Sequence, residues 1–222
     1  MKRFLFLLIL IPVFSFSQYT AIPDENFEKA LIDLGYDDVI DGKVPTNKID
    51  KVTSLDLLRR DISDLTGIEA FDSLTKLNCY YNQLTILDLS KNTKLTYLSC
   101  HHNQLTSLDV SKNTALERLV CYHNQLISLD VSKNTALTHL VCSDNRITSL
   151  DVSNNTALLI LDCDDNQLIS LDVSKNSALT ALRCLHNKLK SLDVSKNTAL
   201  EILICWDNNF DCDALKAKYN LD

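Results

Sequence analysis

Leu74, Leu95, Leu116, Leu137, Leu158, Leu179 and Leu200 follow one another at intervals of 21 residues without a slip. Each opens a close variant of L-x-x-L-x-C-x-x-N-x-L-x-x-L-D-V-S-K-N-T-A, the last cut short after Phe210. A 22-residue unit from Val52 precedes them and makes an array of eight. Such a repeat constrains the fold more than any local propensity, because each unit must bury its apolar residues against copies of itself. A period of 21 is also three heptads, so a coiled coil has to be set aside first. Its seam would take unit positions 1, 4, 8, 11, 15 and 18, yet position 15 is Asp in every full copy and position 18 is Lys in all but one. Asparagines recurring at positions 9 and 19 also disfavour a long helix. What remains is a solenoid.

In the unit opening at Leu95, apolar character alternates around Leu98 and Cys100. A short strand would therefore turn those two inward and Tyr97, Ser99 and His101 outward. Leu105, Leu108 and Val110 supply the rest of the inward set. Asn103 stands where the strand should end, placed to bond backbone groups freed at that corner and to stack on Asn82 and Asn124 of the adjacent coils.

The residues carrying this pattern, LxxLxCxxNxL, resemble the leucine-rich repeat, with Cys in place of the usual third Leu, from Val52 to about Phe210. The first unit, with ISDLTGIE, resembles the internalin type, and the whole is similar to secreted repeat proteins of the Bacteroidota. The resemblance implies an α/β solenoid: a right-handed horseshoe or curved rod with a parallel sheet on its concave face, strands about 4.8 Å apart. It also implies a protein ligand.

The chain opens MKRFLFLLILIPVFSFSQ, with Lys2 and Arg3 ahead of an apolar run too short to span a bilayer, which is the layout of a secretory leader. Residues 1–17 are expected to be removed after Ser17, giving a secreted or periplasmic protein. The full chain has 22 basic against 29 acidic residues, and loss of Lys2 and Arg3 takes its net charge from −7 to about −9. Such a surface repels nucleic acid and anionic lipid, and no later stretch suits membrane insertion. A monomer is expected.

A solenoid needs its apolar ends covered. Residues 18–51 should form the N-terminal cap, with Asp24 capping a helix whose Phe27, Ala30, Leu31 and Leu34 share a face and which stops at Gly35. The following Asp37, Asp38 and Asp41 have the wrong spacing for a calcium loop, and turn chemistry explains them better. Residues 211–222 should form a short closing helix, with Leu215 and Tyr219 against the last coil of the array (52–210). The chain then stops without a second domain, wall anchor or sorting tail, unlike the larger relatives the resemblance suggests, which argues against surface display.

Cys79, Cys100, Cys121, Cys142, Cys163, Cys184 and Cys205 all occupy unit position 6 and should form an inward ladder. Their Cβ vectors would run nearly parallel, so most should stay reduced, acting as compact hydrophobes. Cys212 lies off the ladder, and an oxidising compartment would permit it to pair with Cys205 or leave it free. No metal-ligand spacing occurs.

The letters that change lie on or beside the outward face of each strand, at unit positions 2, 3, 5, 7 and 8. Positions 7 and 8 carry Tyr80 and Tyr81, His101 and His102, Tyr122 and His123, Asp144, Asp164 and Asp165, His186, and Trp206 and Asp207. Position 3 adds Tyr97, Arg118 and His139, and position 5 adds Asp162. All five His, the single Trp and four of the seven Tyr fall in these columns. Two explanations stand: flat rings suit a parallel ladder, or aromatic and Arg side chains mark a docking surface. The aspartates gather toward the C-terminal half, where they could orient a ligand with a basic end or serve only as a solvated face. An open sheet offers little desolvation for catalysis, so neither enzyme activity nor a cofactor is expected, and His101, His102 and His123 would at most bind metal adventitiously. The expected function is recognition of a protein through the concave face, with surface polysaccharide or a structural spacer as alternatives.

Overall fold

A computed structural model describes residues 18–221. The expected leader, residues 1–17, lies outside the described residues. Strand β1 (Tyr19–Ala21) pairs antiparallel with β2 (Lys43–Pro45), enclosing helix α1 (Glu25–Asp33), and a short helix α2 (Thr46–Ile49) leads into the array. Eight strands follow, β3 (Ser54–Asp56), β4 (Lys76–Asn78), β5 (Tyr97–Ser99), β6 (Arg118–Val120), β7 (His139–Val141), β8 (Ile160–Asp162), β9 (Ala181–Arg183) and β10 (Ile202–Ile204). They form one parallel sheet in strict chain order. Every strand pairs in the register the repeat dictates: Leu77 opposite Leu98, Leu98 opposite Leu119, and so on to Leu203. This is the leucine-rich-repeat solenoid the motif implied. Helix α3 (Cys212–Tyr219) follows the last coil.

Each strand is three residues long and covers unit positions 3 to 5. The cysteine lies just beyond the strand yet continues its hydrogen bonding, as where Cys100 N–H donates to the Val120 carbonyl at 2.9 Å. Positions 1, 4, 6, 11, 14 and 16 form one continuous core, and the position-6 side chains from Cys79 to Cys205 are fully buried. Full burial of a Leu or Val side chain is worth about 1.5–3 kcal/mol, and only stacking buries both sides of a coil.

Two asparagine ladders run through this core. At position 9, Asn103 donates from Nδ2 to the carbonyls of Cys100 (3.1 Å) and Cys79 (2.9 Å), and its Oδ1 accepts from Leu84 N–H at 3.0 Å. The second ladder, at position 19, was not anticipated as a core element. Asn113 is fully buried, and its Nδ2 donates to the carbonyls of Leu89 (3.0 Å) and Asn92 (2.9 Å) in the preceding coil. Opposite the sheet, Asp109 accepts from Ser111 N–H at 2.8 Å, a turn repeated in the full copies by the Asp and Ser of LDVS or LDLS.

The N-terminal cap is fastened to the first coil by Asp24, by the bond from Asn26 Nδ2 to the Asp61 carbonyl and by the Arg60–Asp33 ion pair. Asp24 Oδ1 caps α1 by accepting from Asn26 and Phe27 N–H, while Oδ2 accepts from Ser63 N–H and Oγ–H and from Asp64 N–H of the first coil. Phe27, Ala30 and Leu31 are buried as expected, but Leu34, the C-cap residue, is 39% exposed. The acidic loop after α1 is organised by buried Glu28, whose Oε1 accepts from the N–H groups of Asp41, Gly42 and Lys43. At the far end Cys205 and Cys212 form a disulfide, with Cα atoms 5.6 Å apart, which tethers α3. Leu215 and Tyr219 pack partly against the core. No described helix is long and apolar enough to cross a membrane.

Candidate functional site

The outward face of the sheet is built by register alone. Because every strand starts at unit position 3, that position forms one row across the sheet: Ser54, Lys76, Tyr97, Arg118, His139, Ile160, Ala181 and Ile202. Just past the strand ends, positions 7 and 8 make two further rows.

Over the units opening at Leu74, Leu95 and Leu116 these rows hold six rings in two columns. Tyr80, His101 and Tyr122 stack with centroids 4.3 and 4.2 Å apart. Beside them Tyr81 stacks on His102 at 4.1 Å, and His102 meets His123, tilted, at 4.2 Å. The columns touch edge to face, as where His101 meets Tyr81 and His102. Arg59 lies 4.5 Å from the Tyr81 ring centroid and closes one end of the second column, while the Asp144 carboxylate, 3.7 Å from His123 Nε2, closes the other.

Every position-8 residue of the seven later units, Tyr81, His102, His123, Asp144, Asp165, His186 and Asp207, is left-handed, with φ between 49° and 55°. Asp and His tolerate that region better than most side chains. The preference for them at position 8 is therefore partly a demand of the backbone, a signal the sequence held but ring chemistry masked.

The face also differs from expectation in exposure. His101 is only 8% exposed, shielded not by the core but by the rings on both its faces. Burial, with His102 and His123 nearby, lowers its pKa to about 4, so near neutral pH it is an uncharged spacer. Ser99, also expected outward, is buried. Burial likewise depresses His102 and His139, the latter helped by Arg118. Tyr81 is exposed, and Tyr80, Tyr97, Tyr122, His102 and His139 are half-buried.

The acidic half is largely self-satisfied. Arg183 Nε lies 3.2 Å from Asp164 Oδ2 and 3.5 Å from Asp162 Oδ2, and Leu185 N–H donates to Asp164 at 2.7 Å. Burial and the neighbouring Asp162 push the buried Asp164 up to about 6. Asp207 sits 3.2 Å from His186 Nδ1. Asp144, Asp207 and the Arg183 pair are thus engaged within the chain, and among the described residues Asp165 alone of the five candidate aspartates has no basic side chain within ion-pair distance. Trp206 is engaged as well, its Nε1–H donating to Asp213 at 3.0 Å with Lys216 over its ring, so it seats α3. The ladder thiols are pushed up by burial, Cys100 and Cys142 to about 12, which leaves them protonated and poor nucleophiles.

Early in the sheet lies an open hollow of roughly 390 Å³ lined by Ser54, Lys76, Asn78, Thr96, Tyr97, Glu117 and Arg118. Neither Lys76 nor Arg118 has a carboxylate within ion-pair distance among the described residues. Lys76 was not anticipated as a site residue, although its place in the Tyr97–Arg118 row was readable from the repeat.

Residues 72–113 match the family described as Leucine Rich repeats (2 copies). Over 71 residues, 32% of this chain, the sequence is 45% identical to internalin J of Listeria monocytogenes, of which the match covers 8%. Among solved structures, the functional domain of InlJ from Listeria monocytogenes, which includes a cysteine ladder, is similar over 90% of this chain and 55% of its own, with 34% identity and a TM-score of 0.54. A leucine-rich-repeat protein of Leptospira interrogans is similar over 80% of this chain and 49% of its own, at 23% identity and a TM-score of 0.69, a likeness of fold. The chain thus spans about half the length of these two structures and far less of the curated relative.

Proposed function

Starting from a leucine-rich-repeat solenoid, we infer that the protein is an exported, non-enzymatic recognition module that docks a protein partner on the outward face of its sheet. The leader-like residues 1–17 and the disulfide at the far end support export. In this reading residues 18–51 and 211–222 close the array of 52–210, and a single chain is the functional unit.

The observation that carries the proposal is the pair of ring columns. Tyr and His side chains that could be solvated individually are instead fixed in two interlocked stacks. A partner would meet rings already immobilised, so little rotamer entropy is lost on contact. The same stacking disfavours the polysaccharide alternative. Sugar rings pack on aromatic faces, and here both faces of His101 and of Tyr81 are covered by neighbouring rings or by Arg59, which leaves one face each of Tyr80 and Tyr122 for such stacking. Catalysis also has little support, since the thiols are buried and protonated and His101 is shielded.

The test is capture from the extracellular medium of the producing cells, comparing wild type with Tyr80→Ala/Tyr97→Ala/Tyr122→Ala. Trp206 is left intact because it holds α3. The proposal expects a partner retained by wild type and lost by the variant, both chains showing the same circular dichroism. Identical partners for both would refute it.

A further inference from the structure

We propose that the partner presents an acidic stretch followed by an apolar one, laid across the strands along the row of unit position 3. This rests on the docking reading above and specifies its ligand.

The row changes character once. Over β4 to β7 it reads Lys76, Tyr97, Arg118 and His139, and over β8 to β10 it reads Ile160, Ala181 and Ile202. Lys76 and Arg118 are exposed, flank the half-buried Tyr97 over the hollow, and have no acidic partner among the described residues. Two strand spacings, about 10 Å, separate them. An acidic side chain entering the hollow would meet two cations and one carboxylate, Glu117, beside Tyr97, a net positive lining that attracts it without breaking an internal ion pair. In the other half, Ile202 is 50% and Leu159 38% exposed, beside half-buried Ile160 and Ile204. A sheet face that needs no partner would carry polar residues there.

The occupant is a polypeptide because of what lies beside the row. A uniformly anionic chain that followed it past Arg118 would run alongside Asp162 and Asp164 and over the isoleucines, losing on the second half what it gained on the first. Only a polymer whose side chains change from anionic to apolar along its length matches both halves. From Lys76 to Ile202 the row crosses six strand spacings, about 29 Å, which an extended segment of about nine residues spans.

The experiment uses the full chain and four labelled probes in fluorescence anisotropy. Two are peptides of one composition with a Glu/Asp block joined to a Leu/Ile block, one in each direction; the third alternates the same residues; the fourth is polygalacturonate. One block peptide is expected to bind at least tenfold tighter than the alternated peptide. That advantage should fall about tenfold or more in Lys76→Glu/Arg118→Glu and likewise in Ile160→Ser/Ile202→Ser. Lys76→Ala/Arg118→Ala is the substitute should charge reversal unsettle the sheet, as read by circular dichroism. Equal binding of block and alternated peptides, no binding of any peptide, or binding of polygalacturonate alone would overturn the proposal. So would a natural partner lost in the tyrosine variant but held equally by Lys76→Glu/Arg118→Glu, and that result would leave the docking reading standing.

Discussion

His101 and His102 are neighbours in sequence and neighbours in the ring columns, yet different physics holds each. His102 is left-handed at φ 52°, so its identity answers first to the backbone. His102→Asn should therefore cost little beyond the lost stacking, whereas a β-branched His102→Val should lose about 1–2 kcal/mol more in urea unfolding. His101 answers to its neighbours: rings on both faces keep it neutral, with a pKa near 4. Since an unfolded histidine titrates near 6.5, the unfolded chain binds more protons between those values. His101 therefore favours the folded state fully above pH 6.5, and that contribution drains away as pH falls toward 4. Asp164, raised to about 6, slopes the other way, favouring the folded state most below the ordinary carboxylate value and losing that advantage as pH rises through 6. Replacing His101 with Phe should flatten the fall in thermal midpoint on acidification from 6.5 to 4, and replacing Asp164 with Asn should steepen it. The repeat showed where these residues stand in each unit. It did not show which were shielded, because side-chain contacts between coils depend on what the neighbouring copies carry.

At the scale of the element, the coil is held together by polar side chains as much as by leucines. Each position-19 asparagine uses its Nδ2 to satisfy two carbonyls of the coil before, as Asn134 does for Val110 and Asn113 at 2.9 and 2.8 Å. Asn134→Ala removes one bond from each of those buried carbonyls, which keep only the Asn113 and Leu116 N–H groups as donors, and losing the two bonds should cost about 1–3 kcal/mol. Lys133→Ala, at the exposed neighbouring position, should stay within about 0.5 kcal/mol, and chemical denaturation of the two variants checks the contrast. The strands, the buried positions and the position-9 ladder were all legible in the sequence, because a constant period projects each letter onto a fixed side of the coil. The position-19 ladder was not, since Asn is a common turn residue and its spacing alone does not separate a solvated turn from a buried bond. The closing disulfide was legible only as a choice: sequence proximity allowed Cys205 and Cys212 to meet, and the turn into α3 brings their Cα atoms to 5.6 Å.

Across the whole molecule, strict register converts sequence into surface: one letter changed in one unit moves one rung of one row and leaves the core alone. That is why the outward rows can diverge while Leu, Cys and Asn stay constant. It also gives the molecule a second flank, where Ile86, Ile127 and Ile169 are more than 60% exposed at positions 12 and 13. These isoleucines stand two coils apart, with threonine at position 12 of the coils between Ile127 and its neighbours on either side, so they form no continuous strip. The rows on the sheet are continuous, and the account assigns recognition to them. Hydroxyl-radical footprinting of the chain, free and with its captured partner, tests that assignment most directly. The account predicts protection of Tyr81, Tyr97 and Ile202 with Ile86, Ile127 and Ile169 unchanged; protection of those three isoleucines with Tyr81, Tyr97 and Ile202 still open would contradict it.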